Sequence, residues 1–343
     1  MARERHVWPS LSGRGVVTLS DAFRTWVVEN AAAGVATSDL VAELVRGGVP
    51  RRIAEREVAA IVVSPAVTGA RALAKRATRA EMLLDLRSRL LRESSFTVER
   101  RTMPPADELF ARYFAGNRPA VFTDATEGWP ARDWTPERIV EIVGDVEMEI
   151  ASHRDDDATP DRNLDAHREK TTLAEYVRRI RAAGETNDIY TVANNKNMDR
   201  PAFKKLLADI RVDEAIFDPA RLDGGFSFWL GPAGTVTPLH HDTTNVFFHQ
   251  LHGRKRFLLI APEETSLLDH ATGFYVNLDP EADPLPPELE GVPIHTVELA
   301  AGESLFIPVG WWHHVRALDV SISFSQLHFR RPNSFEEYRP GFR

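Results

Sequence analysis

A mainly β fold, a jelly-roll barrel with flanking helices behind an N-terminal all-α bundle, is what this 343-residue sequence predicts. Two observations carry that expectation. From about Phe96 onward, short apolar and aromatic runs alternate with turns rich in Gly, Pro and Asn, the texture of antiparallel strands that close into a barrel or jelly roll. Before residue 93 the apolar residues recur at helical spacing instead, with breaks at Gly47-Gly48-Val49-Pro50 and Ser64-Pro65.

The helical part reads as a tail over residues 1–19 and an accessory bundle over 20–92. Asp21 to Ala33 forms its first helix, Ser38 caps a second that runs to Val45, and Arg51 to Val62 forms a third. A long charged segment to Arg92 joins the bundle to the β-rich remainder of the chain. The loop Gly47-Gly48-Val49 before a helix resembles that of ubiquitin-associated domains; the simpler reading, an accessory or dimerising bundle, is preferred, with a homodimer as the assembly it would make. In residues 96–343, Ala120 to Phe122 is a strand, and Thr135 caps a helix that starts at Pro136 and ends at Val143. A strand over Glu147–Ala151, a helix over Thr172–Ala183 and a strand over Asp188–Val192 come next. Further strands are expected at Phe226–Leu230, Val246–Leu251, Phe257–Ile260, Thr296–Leu299, Ser304–Ile307 and Val320–Ser325. The proline-rich stretch Asp279 to Pro293 reads as a loop over the barrel mouth.

Composition removes several classes. With no cysteine, disulfides, thiolate metal sites and a cysteine nucleophile are excluded. A net charge of −8 argues against nucleic acid as the main partner, although a local basic patch is compatible with it. No stretch has the roughly 18 consecutive apolar residues of a membrane span, and the N-terminus has no apolar signal core; a cytoplasmic protein without a membrane partner is expected.

The segment that points to chemistry is Thr237-Pro238-Leu239-His240-His241-Asp242. Residues two apart in a strand share a face, so His240 and Asp242 project together and His241 turns away. An imidazole and a carboxylate on an inner face are two members of a 2-His-1-carboxylate facial triad, which leaves open positions on a non-haem iron. A third ligand is available in Trp311-Trp312-His313-His314, after an apolar strand and a turn. Periodicity alone does not choose between His313 and His314.

Three stretches carry a family resemblance: RPAVFTDATEGWP, FWLGPAGTVTPLHHDTTNVFFHQLHGRKRFLLIAP and GESLFIPVGWWHHVRALDVSIS. Residues from about 96 to 330 resemble the JmjC-type, cupin-like 2-oxoglutarate hydroxylases. The last two stretches look most like the arginyl hydroxylases of that group, and the first like the asparaginyl hydroxylase acting on hypoxia-inducible factor. The resemblance implies a double-stranded β-helix and a catalytic domain over residues 96–343. It implies His240, Asp242 and His313 as iron(II) ligands, His313 being the histidine directly after the aromatic pair. It places Lys255, Thr237 and Tyr190 around the distal carboxylate of 2-oxoglutarate. Where many members carry an asparagine six residues after the first ligand, this chain has Val246, and Asn245 stands one residue early. In the C-terminal strand, where an asparagine or serine is usual, Ser323 and Ser325 are the options. Asn245 and Ser325 are taken as the candidates for the remaining cosubstrate contacts.

The activity so implied is oxygen-dependent hydroxylation of an amino-acid side chain, in a protein or peptide substrate, with release of succinate and carbon dioxide. A free amino acid or other small molecule is the alternative substrate. N-methyl-lysine demethylation uses the same oxidation, but the three stretches favour stable hydroxylation. A zinc enzyme on a cupin barrel and a non-catalytic binding module are the rival classes; the first leaves Lys255 and Thr237 without a use. Trp229, Trp311 and Trp312 are read as packing, and His249, His252 and His328 as surface or hydrogen-bonded histidines. Asn194 and Asn195 follow Tyr190 at a distance that could reach a substrate, the plain alternative being that loops are rich in asparagine.

Overall fold

The computed structural model describes residues 19–157, 159–221, 225–264, 267 and 270–335. The chain divides into two compact units, 1–86 and 87–343.

The first unit holds α1 (Asp21–Ala32), α2 (Thr37–Arg46), α3 (Arg51–Val62) and the greater part of α4 (Pro65–Glu93). Phe23, Val27, Leu40, Leu44, Ala54 and Val58 close its core. The α1 start is set by Ser20, whose hydroxyl accepts the Phe23 amide. Ser38 does not cap α2. That helix begins at Thr37 behind an extended Ala36, which leaves Ser38 inside the first turn, bonding Asp39.

The second unit opens with β1 (Glu99–Arg101), the three-residue α5 (Ala106–Glu108) and β2 (Ala120–Phe122), then α6 (Pro136–Val143). Thr135 caps α6 through the Arg138 amide, as Pro at the first helical position requires no donor there. β3 (Glu147–Ala151), α7 (Leu164–His167), β4 (Arg168–Thr172) and α8 (Leu173–Ala183) come next, β3 and β4 pairing as a small antiparallel sheet. The remaining strands are β5 (Phe226–Gly231), β6 (Val236–His240), β7 (Val246–His252), β8 (Lys255–Ile260), β9 (Ala271–Thr272), β10 (Tyr275–Val276), β11 (His295–Leu299), β12 (Ser304–Ile307), β13 (Trp312–Ala317) and β14 (Ser321–Gln326).

These strands form two facing six-stranded sheets, ordered β1-β2-β12-β7-β14-β5 and β11-β8-β13-β6-β10-β9. The arrangement is jelly-roll-like, as expected, but the described strands do not close into one barrel. Strand alternation divides the side chains between two layers. Phe226, Phe228, Leu230, Ile322 and Phe324 turn outward against Ile139, Val143, Leu173, Tyr176 and Ile180 of α6 and α8. Ser227, Trp229 and Ser325, on the same strands, turn inward toward a cavity. Part of the interior is filled by Phe257, Leu259, Val297, Leu299, Leu305 and Ile307, and the cavity occupies the rest.

Two expectations need correction. Asp188–Val192 is not a strand but makes isolated bridges, Tyr190 to Ala151 and Thr191 to Leu230. Immediately afterward Asn195 accepts the Val192 amide and draws the chain into a short 3-10 turn, Ala193–Asn195. The proline-rich stretch is not a loop over the mouth. Leu285, Leu289, Val292 and Ile294 pack with Leu239, Ile260 and Trp312, on the sheet face opposite the cavity.

One glycine has a specific task. A Cβ on Gly231, the last residue of β5, would meet the Tyr190 ring at 2.7 Å, so glycine is what lets that ring lie flat on the strand. Gly231→Ala should lower stability by about 1–3 kcal/mol, seen as a lower urea midpoint at unchanged slope. A wild-type midpoint would show that the ring has room to shift.

Candidate active site

The cavity between the sheets has a volume of about 190 Å³. His240, Asp242 and His313 meet on its wall, with one ligand-type atom from each lying within 4.8 Å of the others. The His313 Nε2 is 3.7 Å from Asp242 Oδ2, and the two imidazole centroids are 4.0 Å apart. Each imidazole is oriented by backbone: His240 Nδ1 lies 2.7 Å from the Pro238 carbonyl and His313 Nδ1 2.9 Å from that of Trp311. An Nδ1–H bonded to a carbonyl leaves Nε2 as the free lone pair, the tautomer a metal needs. Burial, together with the nearby His240, holds the His313 pKa well below the usual histidine value, so its ring is neutral.

Strand geometry reaches this trio by a route the periodic reading only partly anticipates. β6 stops at His240, and Asp242 enters the cavity from the following turn, where its carbonyl accepts the Gly310 amide. The choice between the paired histidines is settled as to direction. His313 and Val315 face the cavity, while His314 turns to the opposite face, its Nε2 3.9 Å from Asp279. His241 likewise turns away and stands edge-on to Trp312.

Thr237 is three residues from His240, a spacing that would put them on opposite faces of a regular strand. Both line the cavity. The pairing explains it: His240 opposes His313 and Thr237 opposes Val315, so three steps along β6 match two along β13. The bulge lies at Pro238-Leu239, where proline has no amide to offer the ladder.

Lys255, the first residue of β8, is 1% exposed and faces the same cavity. Its Nζ donates to the Tyr190 hydroxyl at 3.0 Å, and no carboxylate pairs with it among the described residues. Burial pulls its pKa down to about 7. Burial also pushes the Tyr190 phenol well above its ordinary value, so that partner is neutral. Ser325 lines the cavity too, its buried hydroxyl having no hydrogen-bond partner among the described residues. Asn245 lies outside it. Its carbonyl oxygen accepts the Val309 amide at 3.0 Å and its amide donates to Asn333 at 2.8 Å, which spends the side chain on tying down loops. Asn245 is thus set aside as a cavity residue, and Val246 takes the inward position.

Among the other wall residues, Tyr275 and Asp161 carry no sequence signal of their own. Trp229 lines the cavity as well as packing, and Asn194 reaches it while Asn195 is spent on the turn. Tyr275, from the two-residue β10, stacks on His240 with centroids 5.4 Å apart at 25°. Asp161 comes from an irregular acidic segment and is held at 2.9 Å by the fully buried Arg154, which also donates to the Val236 carbonyl. His249 is buried but satisfied, by Ser304 and Gln326, as expected for a structural histidine.

Residues 106–333 match the cupin-like domain family. The chain is 29% identical over 246 residues to the lysine-specific demethylase JMJ30 of Arabidopsis thaliana, covering 66% of this chain and 54% of that protein. It is 26% identical over 244 residues to lysine-specific demethylase 8 of Xenopus tropicalis, covering 68% and 53%. With the bifunctional peptidase and (3S)-lysyl hydroxylase JMJD7 of Homo sapiens it shares 27% over 256 residues, covering 62% and 78%. The chain thus spans about half the length of the first two relatives. Since the family match takes in every cavity residue from Asp161 to Leu327, the chain belongs to the JmjC-type cupin-like family.

Proposed function

We propose that this protein is an iron(II)- and 2-oxoglutarate-dependent dioxygenase that hydroxylates an amino-acid side chain within a protein or peptide. The observation that carries the reading is Lys255, a buried amine with no carboxylate partner among the described residues, on the wall that also bears His240, Asp242 and His313. An uncompensated buried cation is costly, and an anionic cosubstrate removes that cost. A zinc hydrolase has no need of it.

His240, Asp242 and His313 would hold the iron, and Lys255, Tyr190 and Thr237 the far carboxylate of 2-oxoglutarate, with the free Ser325 hydroxyl as a further donor. When bound, this pair supplies oxidative decarboxylation to succinate and carbon dioxide and the transfer of one oxygen atom to a C–H bond. The chain's own contribution is orientation and dryness. The Pro238 and Trp311 carbonyls set the imidazoles, Tyr275 braces His240, and Phe248, Phe257, Ile307 and Val315 keep water from the reacting centre.

A stable hydroxyl product is favoured by the three hydroxylase-like sequence stretches and by the lysyl hydroxylase relative, 78% of whose length the chain covers. Incubation with iron(II), 2-oxoglutarate and peptide pools should give succinate and peptides heavier by one oxygen atom. Loss of a methyl group with formaldehyde release would reassign the protein as a demethylase; no succinate under any condition would overturn the dioxygenase reading.

Two site predictions accompany that assay. His313→Ala should abolish stoichiometric iron binding, while His314→Ala, on the opposite face, should retain it; elemental analysis of the purified variants decides. Lys255 links cosubstrate affinity to pH. The free group titrates at about 7, and a bound dicarboxylate favours the charged form and raises that value. Affinity is therefore full below about 7 and falls by up to about tenfold per pH unit above it, with a proton taken up on binding. Lys255→Met should weaken binding at least about thirtyfold and remove the pH dependence, as read by calorimetry on manganese-loaded protein.

A further inference from the structure

Next to the cavity lies a surface groove of about 610 Å³ that the proposed chemistry does not use. The two spaces share Asn194, which lines both. One bank is the segment Arg162–Ala166, directly after Asp161 of the cavity wall; the other is the turn from Asn194 to Lys196. Arg168 fastens the banks together by donating to the Asn194 carbonyl at 3.3 Å, while its other contacts are with Asp165 and Glu149. We infer that this groove docks the acidic flank of a polypeptide substrate whose target side chain enters the cavity past Asn194 and Asp161. The inference rests on the polypeptide-hydroxylase reading of the cavity.

The charges in the groove support one sign of partner. Arg162 and Lys196 are exposed, and their side chains form no ion pair or hydrogen bond among the described residues. The acidic side chains of the groove are already engaged. Asp157 accepts from Asn163, the Thr159 amide and His167, which hold its carboxyl well below the usual range, and Asp165 is paired with Arg168. Asp157 keeps its charge, but the two ionic side chains of the lining left without a partner among the described residues, Arg162 and Lys196, are both cations.

Backbone conformation fixes the point from which one of these side chains extends. Lys196 has φ 54° and ψ 30°, a left-handed conformation uncommon for a residue with a side chain. It is locked between two 3-10 turns, Ala193–Asn195 and Asn197–Asp199, the first capped by Asn195 and the second tethered through Asn197 to β3. The bank is thus pre-ordered, which lowers the entropy cost of docking. Nucleic acid is disfavoured because the groove has two free cations and no aromatic platform among its lining residues.

The test uses the full chain and peptide pools that share a central residue but differ in flanking charge: acidic, neutral or basic. Acidic flanks should give the lowest KM, with the advantage fading at high salt. The double variant Arg162→Glu/Lys196→Glu should raise KM for the acidic pool by about tenfold while kcat stays within about twofold, and should turn the preference toward basic flanks. Both positions are exposed, and an unchanged thermal midpoint would separate a docking effect from misfolding. Oxygen gain without flank preference, or a preference that survives the double variant, overturns the docking inference alone. Competition by a single-stranded oligonucleotide would also overturn it. Failure of every pool to yield succinate would instead sink the dioxygenase reading beneath it.

Discussion

One extra residue in β6 decides which side chains reach the cavity. Without the bulge at Pro238-Leu239, Thr237 and His240 would lie on opposite faces, and no register of β6 against β13 could present both. With it, Leu239 turns outward to pack with Trp312 and Ile260, while a hydroxyl and an imidazole turn inward. The same kink places the Pro238 carbonyl where it orients the His240 ring. Fold and site are thus coupled through a single local irregularity.

The two buried cations among the described residues, Arg154 and Lys255, are handled differently. Arg154, fully buried, is matched by Asp161 and by the backbone carbonyls of Asn187 and Val236. Lys255 has one neutral phenol. Desolvation costs both ions several kcal/mol, but among the described residues only the arginine has a carboxylate partner, and its Nη1 still lacks a hydrogen bond. The unbalanced charge is the one on the cavity wall; the balanced one reaches that wall only through its partner Asp161.

Much of this was legible in the sequence, and the failures have physical causes. The helices from Pro136 and Leu173, and most β-strands from Phe226 to Gln326, are set by caps and alternation. His240 and Asp242 are set by spacing, although Asp242 reaches the cavity from a turn rather than a strand. His313 against His314 depends on where β13 begins relative to the Gly310 turn, which no period-two pattern specifies. Asp161, Tyr275 and the groove around Arg162 come from segments without regular periodicity, so nothing in their spacing announces a common wall. The expected strand at Asp188–Val192 failed because the Asn195 side chain competes for backbone that a ladder would otherwise use.

Gly231, Tyr190 and Lys255 form a chain of contacts in which each member's room is set by the next: the glycine admits the ring, and the ring's hydroxyl receives the ammonium. Substitutions along that chain will not be additive. A larger residue at position 231 is better tolerated once the aromatic ring at 190 has shrunk, and a shrunken ring strands the lysine. Order therefore matters in how this pocket can diverge: a side chain at 231 comes at less cost to descendants that first relinquish the lysine's anchor than to those that keep it.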